Sequence, residues 1–293
     1  MKKILIPTDF SDDANNAFAV AVHLSRLTGA RLKLLHVIEP PYSKSSLAAL
    51  GPSGEAAVNQ DTYLKQLKQH SEQLMRNLLD QEDYRQVEVE HGVCIAKVID
   101  QVLRVIEEER VDLVVIGAKG AGSKEEMLIG SNTAKVVRLA PCAVLTVKNH
   151  AEAFHPQYIL FPTNFEDDLS SVTEEIKAFQ HLLGAKLHLL YVNLPGTFGS
   201  TRNLTERMRE FADRYHLQNF TTNVFSADTE GEGTLQFAER IGADLLLMVT
   251  HGRTGISRFL SGSITEGVVN NTNLPVLTFS LQALQKRGKS LHT

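Results

Sequence analysis

The sequence has few cysteines and no long run of basic residues. Its two cysteines, Cys94 and Cys142, lie in apolar segments, and neither belongs to a CxxC motif or a Cys/His cluster. Such sparse cysteine argues against a disulfide framework and a structural zinc site, and it favours a reducing compartment. The formal net charge is −4 over 293 residues. Because contacts to phosphate backbones need clustered lysine and arginine, we do not expect nucleic acid as a partner.

Long apolar stretches are also missing. None approaches the ~20 residues that a helix needs to span a bilayer. At the start, MKKILIPTDF contains only a short apolar run, interrupted by Pro7 and Asp9, so we interpret it as a first strand and not as a signal peptide. The protein is therefore expected to be cytoplasmic, with no membrane partner. Neither a Walker A motif nor a complete GxGxxG fingerprint occurs.

What the sequence does contain is an internal repeat. Residues 4–37 align without a gap to residues 159–192, and 14 of the 34 positions are identical. Such agreement predicts a tandem duplication, and the length fits two domains. We expect one domain at 1–148, a second at 157–280 and a polar tail at 281–293. The two copies can then be compared with each other, and a special residue kept in only one of them marks a difference in function.

Each copy alternates apolar strands with amphipathic helices. This alternation predicts an α/β fold with an open, doubly wound parallel sheet of five strands in each copy, covered by helices on both faces. Ser11–Asp13 supply capping groups for the first helix, and Gly29 ends it. The ten predicted strands are Lys3–Pro7, Arg31–Val37, Gln86–His91, Asp112–Ile116, Ala143–Val147, Tyr158–Pro162, Lys186–Val192, Thr221–Ser226, Asp244–Val249 and Val276–Phe279.

Unusual residues follow two strands of the first copy. Ligands of doubly wound sheets bind beyond the carboxyl ends of the strands, where the strand order reverses. After strand one come Pro7, Thr8 and Asp9. After strand four come Gly117 and Gly120, and then Gly130, Ser131 and Asn132 open a helix.

These residue types favour an anion site. The glycines allow close approach of backbone and ligand, allow a positive φ and leave their N–H groups to donate. A helix N-terminus favours phosphate. Asp9 cannot bind phosphate without a metal, because both groups are anions. Its carboxylate is better suited to accept hydrogen bonds from ribose hydroxyls. Val37 and Ile116 form an apolar wall for a base. The alternative is that the glycines only make turns.

The spacing Gly-x2-Gly-x9-Gly-Ser after an apolar strand, with IPTDFS at the start and LLHV in strand two, resembles the universal stress protein family over residues 1–148 and 157–280. The resemblance implies the strand order 3-2-1-4-5, fifth strands that pair about a pseudo-two-fold axis, and ATP, with or without Mg²⁺, as ligand. Its implied site in the first copy comprises Pro7, Thr8, Asp9, Val37, Ile116, Gly117, Gly120, Gly130, Ser131 and Asn132.

The second copy departs from this pattern. Val249 stands in place of Gly117, and Asn164 stands in place of Asp9. A β-branched residue blocks close approach and resists positive φ. His251-Gly252-Arg253 is nonetheless typical of the family, and Gly262-Ser263 repeats Gly130-Ser131. We therefore expect weaker or no nucleotide binding in the second copy.

Three functions are consistent with these observations. The first is a stress-response protein that binds ATP in its first domain and is not a metabolic enzyme. The second is a scaffold or interaction module that binds no nucleotide. The third is a slow ATPase, which would need an oriented water and usually Mg²⁺. The duplication supplies an interface within one chain and leaves open a further homodimer.

Overall fold

The computed structural model of the chain describes residues 1–40, 55–85, 87–120, 129–148, 154–197, 199–250 and 262–281. Of the predicted tail at 281–293, only Leu281 falls within these ranges, and it is buried in the core. The loop motif His251-Gly252-Arg253 lies outside the described residues.

Strands and helices alternate along the chain, as predicted. The strands are β1 (Lys3–Thr8), β2 (Arg31–Ile38), β3 (Val89–Ile95), β4 (Leu113–Gly117), β5 (Ala143–Val147), β6 (Tyr158–Pro162), β7 (Lys186–Asn193), β8 (Phe220–Ser226), β9 (Leu245–Thr250) and β10 (Val276–Ser280). The helices are α1 (Asp12–Thr28), α2 (Glu55–Leu79), α3 (Val98–Glu108), α4 (Ser131–Leu139), α5 (Ser170–Leu183), α6 (Thr201–Arg214), α7 (Glu230–Ile241) and α8 (Gly262–Asn271).

The ten strands form one sheet in the order β3-β2-β1-β4-β5-β10-β9-β6-β7-β8. Each half therefore has the order 3-2-1-4-5, which confirms the predicted fold class. All neighbours pair parallel except β5 and β10, which pair antiparallel with Leu145 opposite Leu277. This pair joins the two predicted five-stranded sheets into a continuous one. In the first half the strand order reverses between β1 and β4, so the crevice of a doubly wound sheet opens there.

The caps of α1 explain where this helix begins and ends. The Ser11 hydroxyl accepts the N–H of Ala14 at 3.3 Å, and Gly29 adopts a left-handed conformation with φ of 70°. Gly184 ends α5 in the same way, with φ of 61°. The predicted cap and stop signals are therefore confirmed, and the same glycine stop serves both copies.

The third strand differs from the prediction. Gln86–His91 was the expected range because its apolar residues alternate, but β3 runs from Val89 to Ile95. It is an edge strand whose side chains are half-buried or exposed, so the apolar pattern does not fix its limits. Its limits follow from pairing with β2, where Leu32 lies opposite Val89 and Ile38 opposite Ile95. Consequently α3 begins at Val98, whereas the amphipathic pattern of residues 95–109 predicts a helix that begins at Ile95.

The hydrophobic core is continuous across the two halves. One cluster of buried side chains contains Phe18 and Leu145 from the first half together with Phe161 and Leu277 from the second. A separate cluster, which includes Leu5 and Val114, packs in the first half alone. The strands at the junction are buried at every position. If β5 and β10 were not paired with each other, these apolar strands would lie at exposed sheet edges.

A buried lysine crosses the junction. Lys148, directly after β5, is 9% exposed. Its ammonium donates to the backbone oxygens of Val269, Asn270 and Thr272 at 2.6, 3.0 and 2.8 Å. These carbonyls lie at the C-terminal end of α8, where orphan acceptors and the helix dipole favour a cation. The first half thus caps a helix of the second half.

We expect Lys148→Met to lower the free energy of unfolding by about 2–4 kcal/mol, because it leaves buried carbonyls without a charged donor. Urea unfolding followed by circular dichroism measures the change. Lys135→Met is the matched control, since Lys135 is exposed on α4 and its replacement should change stability by less than about 0.5 kcal/mol. Equal unfolding midpoints for the two variants would contradict this role of Lys148.

Candidate functional site

A cleft of about 480 Å³ opens at the carboxyl ends of β1 and β4. All ten residues that the sequence singles out line this one cleft. The structure adds others that the sequence reasoning did not place in the wall: Ala14, Leu35, Val98, Ile129 and Thr133, together with Lys119. Leu35 could have been predicted from Val37, because residues two apart on a strand face the same side of the sheet. Val98 could not, since its position depends on where β3 ends.

A tight turn after β1 shapes the first side of the cleft. The Thr8 hydroxyl accepts the N–H of Phe10 at 3.0 Å, and Phe10 has φ of 63°. The His36 ring bonds the Thr8 carbonyl through Nδ1 at 2.7 Å and lies 4.7 Å from the Phe10 ring. In the second half, Phe165 has φ of 61° and donates its N–H to the Thr163 hydroxyl at 3.4 Å. The Thr-x-Phe sequence found in both copies therefore encodes a strained turn.

Asp9 is exposed in the middle of this turn. Its Oδ1 accepts the N–H of Ser11 at 3.1 Å and the Ser11 hydroxyl at 2.6 Å. Its Oδ2 lies beside Gly120, where an added Cβ would come within 2.6 Å of that oxygen. Gly120 therefore leaves space for the Asp9 carboxylate, which would have to shift if a Cβ were present.

Gly117 serves packing between chain segments. A Cβ on Gly117 would lie 2.7 Å from the carbonyl carbon of Asp13 and 2.8 Å from the amide nitrogen of Ala14. The end of β4 thus packs directly on the first turn of α1. The same turn reaches the loop, because the Asp13 carboxylate accepts the N–H of Lys119 at 2.9 Å.

The structure gives these glycines a packing role in addition to the binding role predicted for them. Positive φ occurs at Gly29, Gly184 and Gly242 among the glycines of the described ranges, and not at Gly117, Gly120 or Gly130. The N–H of Gly130 is not left to donate, since it bonds the Ala118 carbonyl at 2.7 Å. Gly117 and Gly120 thus bring backbone close to backbone and to Asp9, on the protein side of the cleft that they line.

The first turn of α4 supplies backbone donors at this end of the cleft. Gly130 is the N-cap of α4, with φ of −61°, and no side chain caps the helix. Ser131 and Asn132 occupy its first turn and line the cleft, and Thr133 is tied to the Gly117 carbonyl through its hydroxyl at 2.9 Å. Backbone amides of a first turn without a capping side chain attract anions.

Positive charge gathers near the same end. Burial lowers the pKa of Lys148, and the charge of nearby Lys119 lowers it further, while Asp13 acts in the opposite direction. Lys119 lines the cleft. The far side is apolar, with Leu35, Val37 and Ile116 at the strand ends and Val98 at the start of α3. One cleft therefore combines an apolar wall, a carboxylate and a cationic helix N-terminus.

The second half forms a different environment at the matching positions. The side-chain oxygen of Asn164 accepts the N–H of Glu166 at 3.0 Å, and Asn164 is only 5% exposed. Val249 is fully buried inside β9. Gly233 on α7 brings the helix against β7, with Val192 Cγ1 2.6 Å from where a Cβ would stand. Asn164, Val249 and Gly233 are all buried.

Glu230 is the most unusual residue of this second environment. It is the first residue of α7, as Val98 is the first residue of α3, so a carboxyl group stands where the first half has an apolar wall. Its Oε2 is buried and has no hydrogen-bond partner among the residues that the structure describes. Burial raises the pKa of Glu230 to about 7. Sequence reasoning missed Glu230, because only the aligned starts of the two helices identify it.

The described residues meet the requirements of neither a metal site nor a membrane-spanning helix. Within the described ranges, no group of three or more His, Cys, Asp or Glu side chains is arranged to hold a metal ion. The helices in those ranges include none with both the length and the apolar character to cross a bilayer. Both cysteines are free thiols, and Cys142 is buried at 1% exposure, as its apolar setting predicts.

The sheet and cleft define a tandem α/β protein of the doubly wound class. A family model described as the universal stress protein family matches residues 1–148 and again residues 157–280. Since these matches cover most of the sequence, the chain belongs to the universal stress protein family and carries two copies of its domain.

Individual relatives agree with this assignment. Universal stress protein Slr1230 of Synechocystis is 24% identical over 300 residues, covering 95% of this chain and 100% of that protein. Universal stress protein YxiE of Bacillus subtilis is 29% identical over 147 residues, which is 50% of this chain and 98% of the relative. A universal stress protein from Archaeoglobus fulgidus has a solved structure that covers 95% of this chain and 98% of its own, with a TM-score of 0.68 at 16% identity. That last likeness shows the fold.

Gly117→Ala should lower the free energy of unfolding by roughly 1–3 kcal/mol without any ligand, because its Cβ would overlap the backbone of Asp13 and Ala14. Thermal or urea unfolding measures the loss. Gly92→Ala is the control, since nothing lies within 4 Å of a Cβ there. A Gly117→Ala protein as stable as Gly92→Ala would show that the packing of β4 on α1 does not require glycine.

Glu230→Gln should raise stability at pH 8 and lose this advantage as the pH falls below about 7. The pKa of Glu230 is higher in the folded than in the unfolded protein, so its stabilising protonated form is fully present below about 4.5 and is lost as pH rises through 7. Urea unfolding at pH 8 and pH 5 measures the gap, expected at about 1–2 kcal/mol after allowance for solvent screening. Glu239→Gln, exposed on the same helix, should show no such dependence, and a constant gap for Glu230→Gln would contradict the assignment.

Proposed function

We propose that this chain is a cytoplasmic stress-response protein that binds ATP in the cleft of its first half. The observation that carries the proposal is the arrangement of three chemically different groups around one cleft: the apolar strand ends, the Asp9 carboxylate and the first turn of α4. A purine, a ribose and a phosphate chain present these needs in this order. The cleft volume of about 480 Å³ lies in the range of small-molecule sites.

The residues present fit the nucleotide part by part. Leu35, Val37, Ile116 and Val98 supply the apolar surface that a base needs. Asp9 is exposed and acidic, which suits hydrogen bonds from ribose hydroxyls. The amides at the start of α4 and the Lys119 ammonium suit phosphates. Mg²⁺, if it accompanies the nucleotide, would offset the negative charge shared by the triphosphate and Asp9.

Only the first half is proposed to bind. In the second half, the side-chain oxygen of Asn164 is bonded to the N–H of Glu166, β9 has Val249 at the position of Gly117, and half-buried Glu230 stands at the position of Val98. A carboxylate at that position opposes a neighbouring polyanion. Any conformational effect of ATP on the protein depends on a difference in its affinity for two conformations of the chain.

Isothermal titration of the full chain with ATP, with and without Mg²⁺, tests the proposal. The expected result is saturation at one ATP per chain. No heat and no thermal shift at millimolar ATP would overturn nucleotide binding and favour the scaffold alternative. Saturation at two per chain would overturn the restriction to the first half.

Asp9→Asn tests the ribose contact with a residue that the chain already uses at position 164. The asparagine should keep the turn, as Asn164 does, but remove the charge, so adenosine affinity should fall by about tenfold because hydrogen bonds to charged acceptors are the stronger ones. Titration with adenosine is the measurement, since for ATP the lost repulsion from the triphosphate works in the opposite direction. Asp12→Asn removes the same charge outside the cleft and should leave adenosine affinity unchanged; equal affinities for the two variants would contradict the ribose role.

A further inference from the structure

The second half reaches into the cleft of the first half at one point. The side-chain oxygen of Asn270 accepts the N–H of Ile129 at 2.7 Å, across 141 positions of sequence. Ile129 lines the cleft and directly precedes Gly130, the N-cap of α4. The next amide, that of Gly130, is bonded to Ala118 within the first half. Two consecutive amides at the entry to α4 are therefore fixed, one by each half of the chain.

Asn270 is itself held in place. It lies at the C-terminal end of α8, and its own carbonyl is one of the three that accept from the Lys148 ammonium. Because Lys148 follows β5 directly and is buried, the end of α8 is fixed relative to the strands of the first half. The Asn270 side chain therefore projects from a supported position, and not from a loose helix end.

The contact has no equivalent on the other side of the pseudo-two-fold axis. The position that matches Asn270 in the first half is Arg138, which is exposed on α4, and the position that matches Lys148 in the second half is Ser280. Neither replacement can repeat the interaction, since arginine has no acceptor in its side chain and serine has no ammonium. The chain therefore supports the entry to one phosphate-binding helix by a device that its duplicate lacks.

We propose that Asn270 is a positioning residue for the nucleotide site of the first half, so that this site is built by both halves together. The inference rests on the proposed ATP binding. Anchoring of the Ile129 amide sets the direction of the peptide that enters Gly130, and thereby the aim of the first-turn amides of α4 at the phosphates. The base and ribose contacts lie on other strands and do not depend on this anchor.

The test compares Asn270→Ala with Asn271→Ala in the full chain. Asn271 is adjacent and exposed, and its side chain bonds only the Gly267 carbonyl of its own helix among the hydrogen bonds described, at 2.8 Å. Titrations with ATP and with adenosine are expected to show a loss of about fivefold in ATP affinity for Asn270→Ala, the size of one neutral hydrogen bond. Adenosine affinity should not change, and Asn271→Ala should behave as the unaltered chain.

Amide hydrogen exchange, measured without ligand, gives an independent readout. The Ile129 amide should exchange at least fivefold faster in Asn270→Ala, and Asn270→Asp, which keeps an acceptor at that position, should restore its protection. Unchanged exchange at Ile129, or equal losses for ATP and adenosine, would overturn the positioning role. If the unaltered chain bound no ATP, the proposed function would fail and the positioning role with it. If the unaltered chain bound ATP and Asn270→Ala bound it equally well, the positioning role alone would fail.

Discussion

The antiparallel pairing of β5 with β10 is the constraint on which the rest of this structure depends. Both strands are apolar and buried at every position, and each would otherwise be the open edge of a five-stranded sheet, with unpaired backbone groups. Pairing satisfies those groups and is supported by two side-chain bonds across the junction, from the Thr146 hydroxyl to the Val276 carbonyl and from the Thr278 hydroxyl to the Val144 carbonyl. Because the register is fixed, Lys148 meets the end of α8, and the end of α8 meets the entry to α4. The geometry of the cleft is thus a consequence of the junction as well as of its own loop.

The glycines of the first half show how a ligand motif and a packing motif coincide. Gly117 lets β4 contact the first turn of α1, and Gly120 leaves space for a carboxylate that also stabilises the turn after β1. A cleft whose walls are held by such close backbone contacts is preorganised, which reduces the entropy lost when a ligand binds. In the second half, Val249 replaces the first of these glycines, so the two environments differ in packing before any ligand is considered.

Much of the fold was open to prediction because its signals are local. The cap at Ser11, the stop at Gly29 and the buried run of β5 each depend on a few adjacent residues, and the alternation of strands and helices predicts the fold class. The positions of the ten predicted site residues around one cleft followed from the rule that ligands meet strand ends at a switch point; their contacts with a nucleotide stay predictions.

The limits of β3 were not predictable, since an edge strand is defined by its partner. The packing contacts of Gly117 and Gly120 were not predictable, because their neighbours Asp13 and Asp9 approach through tertiary packing. The sequence contains no sign of the contact between Asn270 and Ile129, because the two residues are distant in the chain and meet only in the folded sheet.

The covalent link between the two halves has one more consequence. In an assembly of two identical subunits, every substitution is made twice, once on each side of the symmetry axis, so a residue that helps one site must also be tolerated at the other. Here Lys148 and Ser280 occupy matching places and differ freely, as do Asn270 and Arg138. Because one chain carries both copies, the two different halves are always present in a one-to-one ratio. Each half is paired with the other half of its own chain and not with a second copy of itself.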